Sequence, residues 1–148
     1  MIALSFPDYT FRFKNNQNKT LIFDGIRKKF VVLTPEEWVR QHVLCYLIQD
    51  KGYPKSIINV EKQIDINGLK KRYDIVIFNT DGSIKLLVEC KSPSVKITQG
   101  VFDQIARYNL GLNADFLMVT NGMEHYYCQV SNTGEKYLFL KDIPQFRR

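Results

Sequence analysis

Two Asx-Gly pairs constrain this chain more than any other feature: Asn67-Gly68 and Asp81-Gly82, set inside "IINVEKQIDINGLKKRYDIVIFNTDGSIKLLVECK". Both residues of such a pair tolerate the positive φ that a two-residue type I′ hairpin loop demands. The stretch therefore predicts three antiparallel strands joined by two tight turns, and the turns act as rulers. With two-residue loops, Asp74 lies opposite Glu89, Arg72 opposite Lys91, and Glu61 opposite Asp74 on its other side. Three carboxylates then form a row across neighbouring strands on one face. The alternate positions Ile84, Leu86, Val88 and Cys90 are apolar and must be buried.

Such a row is costly. Carboxylates ~5 Å apart repel by about 3 kcal/mol at an effective dielectric of 20, so a cation is required. Lys91 and Arg72 can supply it as ion-pair partners on a charged sheet face. Clustered hard oxygen donors are equally the usual site of a divalent metal. Spacing alone leaves both readings open, with Glu61 either a further acid or an ion-pair partner of Arg72 or Lys91.

Around this meander the chain reads as α/β, a mixed sheet flanked by helices. Residues 1–33 alternate as a β-segment around the polar "NNQNK". A helix follows from Thr34 to Lys51, with Thr34 as N-cap, Pro35 in the first turn, and Gly52 and Pro54 ending it; Val39, Val43, Leu44, Leu47 and Ile48 form its apolar face. A second helix, Ile97 to Leu110, carries Val101, Ile105, Tyr108 and Leu112 on one stripe, with Gly111 near its end. "ADFLMVTNG" is an apolar strand for the middle of the sheet, reached by a right-handed crossover, and Asn121-Gly122 is turn chemistry. "EHYYCQV" and "KYLFLKDI" close the chain as strands.

The 148 residues suit one domain, divided as 1–33, a core of 34–122, and C-terminal strands over 123–148. No apolar run approaches a membrane span and no leader pattern opens the chain, so a soluble, cytoplasmic protein without membrane contact is expected. Cys45, Cys90 and Cys128 cannot all pair, which fits a reducing compartment. Two His-x-x-Cys pairs, His42 with Cys45 and His125 with Cys128, match no common zinc spacing and are read as structural. The net charge of +6 suits a polyanionic partner.

An acid at a strand end followed by Glu-x-Lys on its hairpin partner, Asp74 with "ECK" from Glu89 to Lys91, resembles the PD-(D/E)xK nuclease motif, although Tyr73 stands where the motif's name has proline. Gln104 and Tyr108 in "QIARY" resemble the extra Gln-x-x-x-Tyr motif of the RecB-like branch. From "LTPEEWVRQ" to "VTNG" the chain resembles the N-terminal nuclease domain of the type I restriction enzyme R subunit. The resemblance implies a restriction-endonuclease-like fold and metal-dependent DNA endonuclease activity in restriction. Asp74, Glu89 and the backbone carbonyl of Cys90 would hold Mg²⁺, with Mn²⁺ as a substitute. Lys91 would orient or deprotonate the attacking water, Glu36 or Glu37 would add a helix acid, and Gln104 and Tyr108 would stand near the metal. Arg72, Lys96 and Arg107 would contact phosphate. This length leaves no room for an ATP-driven motor, which implies a nuclease that stands alone, pairs as a homodimer or works with a separate targeting or motor subunit. A catalytically silent nucleic-acid-binding or protein-interaction module on the same fold is the alternative.

Overall fold

The computed structural model describes residues 1–66, 68–131 and 136–147. The N-terminal β-segment is a three-stranded antiparallel sheet of β1 (Phe13–Asn16), β2 (Lys19–Asp24) and β3 (Lys29–Val32). Gln17 and Asn18 join β1 to β2 at φ of 49° and 65°, the positive pair that a type I′ turn requires. Helix α1 (Pro35–Cys45) follows, its first turn capped by the Thr34 hydroxyl, which accepts from the Glu37 N–H at 3.0 Å. It continues as a wider π turn over Tyr46–Asp50, and Gly52 at φ 77° ends the run.

The second sheet holds six strands in sequential order: β4 (Ile58–Ile66), β5 (Leu69–Phe78), β6 (Ile84–Cys90), β7 (Phe116–Thr120), β8 (His125–Val130) and β9 (Tyr137–Leu140). Only β6 and β7 are parallel, joined through α2 (Gln99–Asn109). The fold is thus α/β with a mixed sheet, as the sequence predicts. No helix among the described residues is long and apolar enough to cross a membrane.

The turn rulers give the correct register. Val60 pairs with Ile75 and Lys62 with Tyr73, which leaves Glu61 opposite Asp74; Ile75 pairs with Val88, which aligns Asp74 with Glu89. Asn67 lies outside the described residues, but Ile66 pairs with Leu69 and Gly68 takes φ 82°, as a two-residue loop requires. The Asp81-Gly82 connection is wider than predicted. It spans Asn79 to Ser83, with the Gly82 N–H on the Asn79 carbonyl, and an irregularity beside Phe78 restores the register by Ile77.

Two apolar layers cover the sheet. Val39, Val43 and Leu47 of α1 pack on Ile75, Ile77, Leu86, Val88 and Met118, whereas Phe102 and Ala106 of α2 pack on Val76, Leu87, Leu117 and Val119. The predicted burial of Ile84, Leu86, Val88 and Cys90 holds. The predicted stripe on α2 holds in part: Ile105 and Leu112 are partly buried against the α2 layer, but the fully buried residues are Phe102, Ala106 and Asn109, and Tyr108 is 58% exposed. Tyr108 instead lies over a lysine at the sheet end. Gly111 does not take the left-handed position after α2; Asn113 does, at φ 56°.

Candidate active site

The site begins with an irregularity in β5. Tyr73 and Ile75 are two apart and should share a face, yet Tyr73 packs in the α2 layer and Ile75 in the α1 layer. The strand changes face at Asp74, and the residue opposite, Glu61, sits at φ +56°, a conformation costing a non-glycine residue about 1–2 kcal/mol. The paired ladder of β5 and β6 ends at Ile75 and Val88. Asp74 Oδ2 then takes the place of a ladder acceptor, receiving the Cys90 N–H at 2.8 Å. On its other side β6 stays joined to β7, the Lys91 N–H donating to the Thr120 carbonyl.

The acids keep the predicted opposition but not a shared face. Asp74 Oδ1 turns toward α1 and receives Arg40 Nη2 at 2.6 Å; Glu89 turns toward α2 and pairs with Lys71 Nζ at 3.1 Å. The neutralising cations are therefore Arg40 and Lys71, not Arg72 and Lys91. Arg72 is mostly exposed and only 3.9 Å from Glu61, whose nearer partner is Arg40 at 2.6 Å. Sequence reasoning passed over Arg40 and Lys71. Arg40 carried a signal, since it falls three and four residues after Glu37 and Glu36 beside the apolar face of α1.

The two helix acids separate cleanly. Glu37 is buried and points at the N-terminal sheet: Arg27 Nη2 donates to both its oxygens at 2.9 and 3.0 Å, Arg40 Nη1 at 2.6 Å and Gln41 Nε2 at 3.1 Å. Asp24 of β2 completes this network, receiving Arg27 Nε at 2.8 Å and Gln41 Nε2 at 2.9 Å. Burial would raise the Asp24 carboxyl, but the bonds from Arg27 and Gln41 outweigh it and hold the group below its ordinary value. Glu37 is thus a structural tie. Glu36, about 100° round the helix, leaves its side chain half exposed among Asp74, Arg40, Lys91 and Glu61.

Burial and mutual proximity both act on the acids at this end of the sheet. Burial first, and then Asp74, pushes the Glu89 carboxyl above its ordinary value against the pull of Lys71 and Lys91. The same two causes raise Glu36, opposed by Arg40 and Lys91. A set of hard oxygen donors of this kind fits a hard divalent cation in chemistry. Among the described residues, no three such groups converge as the side chains stand, because Arg40 draws Asp74 toward α1 and Lys71 draws Glu89 toward α2.

Of the remaining candidates, Tyr108 presents its ring 4.2 Å from Lys71 Nζ and so stands one residue away from Glu89. Gln104 and Lys96 are exposed, and Arg107 lies toward Tyr137 of β9, across the sheet from β4 and β5. The His-x-x-Cys pairs form no zinc site. His42 Nδ1 bonds the Trp38 carbonyl, His125 sits between the Thr120 hydroxyl and the Ser5 carbonyl, and Cys128 is buried in the α2 layer. Asn121 is a turn residue, its side-chain oxygen receiving the Met123 and Glu124 N–H groups.

No curated protein matches the chain. The family model of the type I restriction enzyme R protein N terminus matches residues 35–144, a span that takes in α1, every acid of the site and the whole six-stranded sheet, and the chain belongs to that family.

Proposed function

We propose that the chain is a Mg²⁺-dependent deoxyribonuclease that hydrolyses phosphodiester bonds of DNA as part of restriction. The observation that carries this reading is the gathering of Glu36, Asp74, Glu89 and Lys91 where β5 and β6 part, with the family membership behind it. Asp74, Glu89 and the Cys90 carbonyl would hold Mg²⁺, or Mn²⁺ in its place, which when bound would supply Lewis acidity toward the phosphate and a more acidic water. The Lys91 ammonium, at the end of β6 and within electrostatic reach of Glu36 and Glu89, orients the attacking water and offsets the charge developing on the phosphate. The Asp74 carboxylate is fixed by the Cys90 N–H, so its position does not depend on a flexible side chain. Arg72 and Lys96 lie exposed for phosphate contact. One such site cuts one strand, so double-strand cutting takes a second copy or a second visit, and a separate subunit supplies targeting.

One observation favours a second reading. Arg40 already neutralises Asp74, as in a silent nucleic-acid-binding module that never admits a metal. The test is cleavage of supercoiled, linear duplex and single-stranded DNA with Mg²⁺ or Mn²⁺ by the native protein, Asp74→Ala and Lys91→Ala. Metal-dependent cutting by the native protein, lost in both variants, is the expected result. Absence of cutting together with calorimetric Mn²⁺ binding that is equal in native and Asp74→Ala protein would overturn it in favour of the silent module.

A further inference from the structure

The charge of this protein is unevenly placed. Residues 35–144, the family-matched part, contain thirteen basic and thirteen acidic residues, whereas residues 12–33 contain six basic and one acidic. The single acid there, Asp24, is buried and bonded to Arg27 and Gln41, and Arg27 is bonded to Glu37. The other five cations, Arg12, Lys14, Lys19, Lys28 and Lys29, are exposed, and none makes an ion pair among the described residues. Nearly the whole net charge thus sits unneutralised on β1 to β3 and their turns.

Its placement is ordered. Ile22 and Phe13 are paired neighbours on one face of the small sheet, and Ile22 is fully buried. The opposite face carries Arg12, just before β1, Lys14 on β1, and the rings of Phe23 and Phe30, packed edge-on 5.2 Å apart, on β2 and β3. The Arg12 guanidinium lies 4.6 Å from the Phe23 ring and Lys14 Nζ lies 5.0 Å from the Phe30 ring. Stacking on rings holds these charges at fixed points of a rigid sheet instead of leaving them on free stems. The sheet is also fixed relative to the acids. Arg27, in the turn between β2 and β3, bonds Glu37, the neighbour of Glu36, and β3 leads directly into the Thr34 cap of α1.

We propose that this face of β1 to β3, with the turns carrying Lys19 and Lys28, is the DNA docking surface of the protein and binds the phosphate backbone. It adds to the phosphate contacts of Arg72 and Lys96, whereas Arg107 lies away toward Tyr137 of β9. The neutral family-matched part cannot hold a polyanion by net charge, and the N-terminal sheet delivers DNA to the end of α1 that faces the acids. The proposal deepens the nuclease reading by naming its binding surface, yet binding is measurable without cleavage.

The test is fluorescence anisotropy of a labelled 25-base-pair duplex and of its single strand, in EDTA, across a salt series. Native protein is compared with Lys14→Gln/Lys19→Gln/Lys28→Gln and with a control of equal charge change on the matched part, Lys55→Gln/Lys62→Gln/Lys141→Gln, each confirmed folded by its melting curve. All six lysines are exposed. The expected result is a loss of tenfold or more in duplex affinity for the sheet variant, with the salt slope reduced by about 2–3, and less than a twofold loss for the control. Equal losses in both variants, or no binding by the native protein, would overturn the proposal. Preference for the single strand that the sheet variant leaves unchanged would overturn it as well. Duplex binding of the expected kind, without metal-dependent cutting and with Mn²⁺ binding that does not need Asp74, would leave the docking surface standing and remove the nuclease reading.

Discussion

Arg40 and Asp74 are joined at 2.6 Å across the α1 layer, and the same guanidinium also holds Glu61 and Glu37 at 2.6 Å each. Its side chain is 7% exposed, its Nε has no partner among the described residues, and the acids around it hold its proton more tightly than usual. Burial alone would loosen that proton; the Asp74 bond reverses the effect. This one cation stands where the proposed metal must share a ligand.

Removing it should expose that competition. Arg40→Gln leaves Asp74 without its ion-pair partner and Glu61 with only the exposed Arg72 at 3.9 Å, while Glu37 keeps Arg27, and loss of one partner of a buried charge network costs about 3–5 kcal/mol. We expect the variant to unfold at markedly lower denaturant concentration in EDTA, and Mn²⁺ to restore its melting temperature by several degrees more than it raises that of the native protein. An identical Mn²⁺ response in the two would show that Arg40 and the ion do not compete for Asp74.

The pH dependence follows from Glu36 and Glu89, whose carboxyls burial and Asp74 hold above the ordinary value. A carboxyl raised on folding favours the folded state while protonated, so its contribution is fully present below about pH 4.5 and is lost as pH rises through the elevated folded value. Glu89→Gln should therefore melt higher than native protein at pH 7.5 and match it near pH 4. The same variant should lose metal-dependent cleavage, the mark of a charge kept for chemistry at the expense of stability. Thermal melts from pH 4 to 8 check the first part, and a higher native melting temperature at pH 7.5 would contradict it.

The hairpin register and the position of the acids were legible because strand pairing follows from turn length and a side-chain period of two. That logic ends where the backbone leaves the regular strand. The face change at Asp74 and the left-handed Glu61 send the two opposed acids to different layers, and Lys71 reaches Glu89 diagonally, not from the opposed position. Glu36 and Glu37 were indistinguishable because the helix pattern fixes their 100° separation but not how α1 is rotated over the sheet. Arg27 and Asp24, from β2 and its turn, bond Glu37 and Gln41 and so show which way the helix faces.

Gly122 closes the turn after β7 at φ +85°, and a Cβ there would lie 2.9 Å from Leu4 Cδ2 and 3.0 Å from Val39 Cγ2. The N-terminal segment is threaded over this point, with the Ser5 N–H on the Gly122 carbonyl at 2.8 Å. Gly122→Ala combines a left-handed alanine with a contact it must push aside, so we expect a loss of about 2–3 kcal/mol, or roughly 4–12 °C in melting temperature. Leu4→Ala in the same chain should recover part of this, because it removes one of the two clashing side chains. Strict additivity in that double-mutant cycle would show that Leu4 does not press on the site.

Tyr108 meets the site through its ring. The ring lies 4.2 Å from Lys71 Nζ, Tyr73 lies 4.8 Å from the same nitrogen on the strand, and Lys71 bonds Glu89 at 3.1 Å, so two aromatic faces hold the cation that orients a proposed metal ligand. A cation over an exposed ring is worth about 0.5–1 kcal/mol. Tyr108→Ala should accordingly lower kcat/KM for DNA cleavage roughly two- to fivefold, while Tyr108→Phe, which keeps the ring, should leave it unchanged. Lys71→Met combined with Tyr108→Ala should then be no worse than Lys71→Met alone, because the ring has lost the charge it held. Loss of activity in Tyr108→Phe would assign the function to the phenol group and place it on the DNA instead of on Lys71.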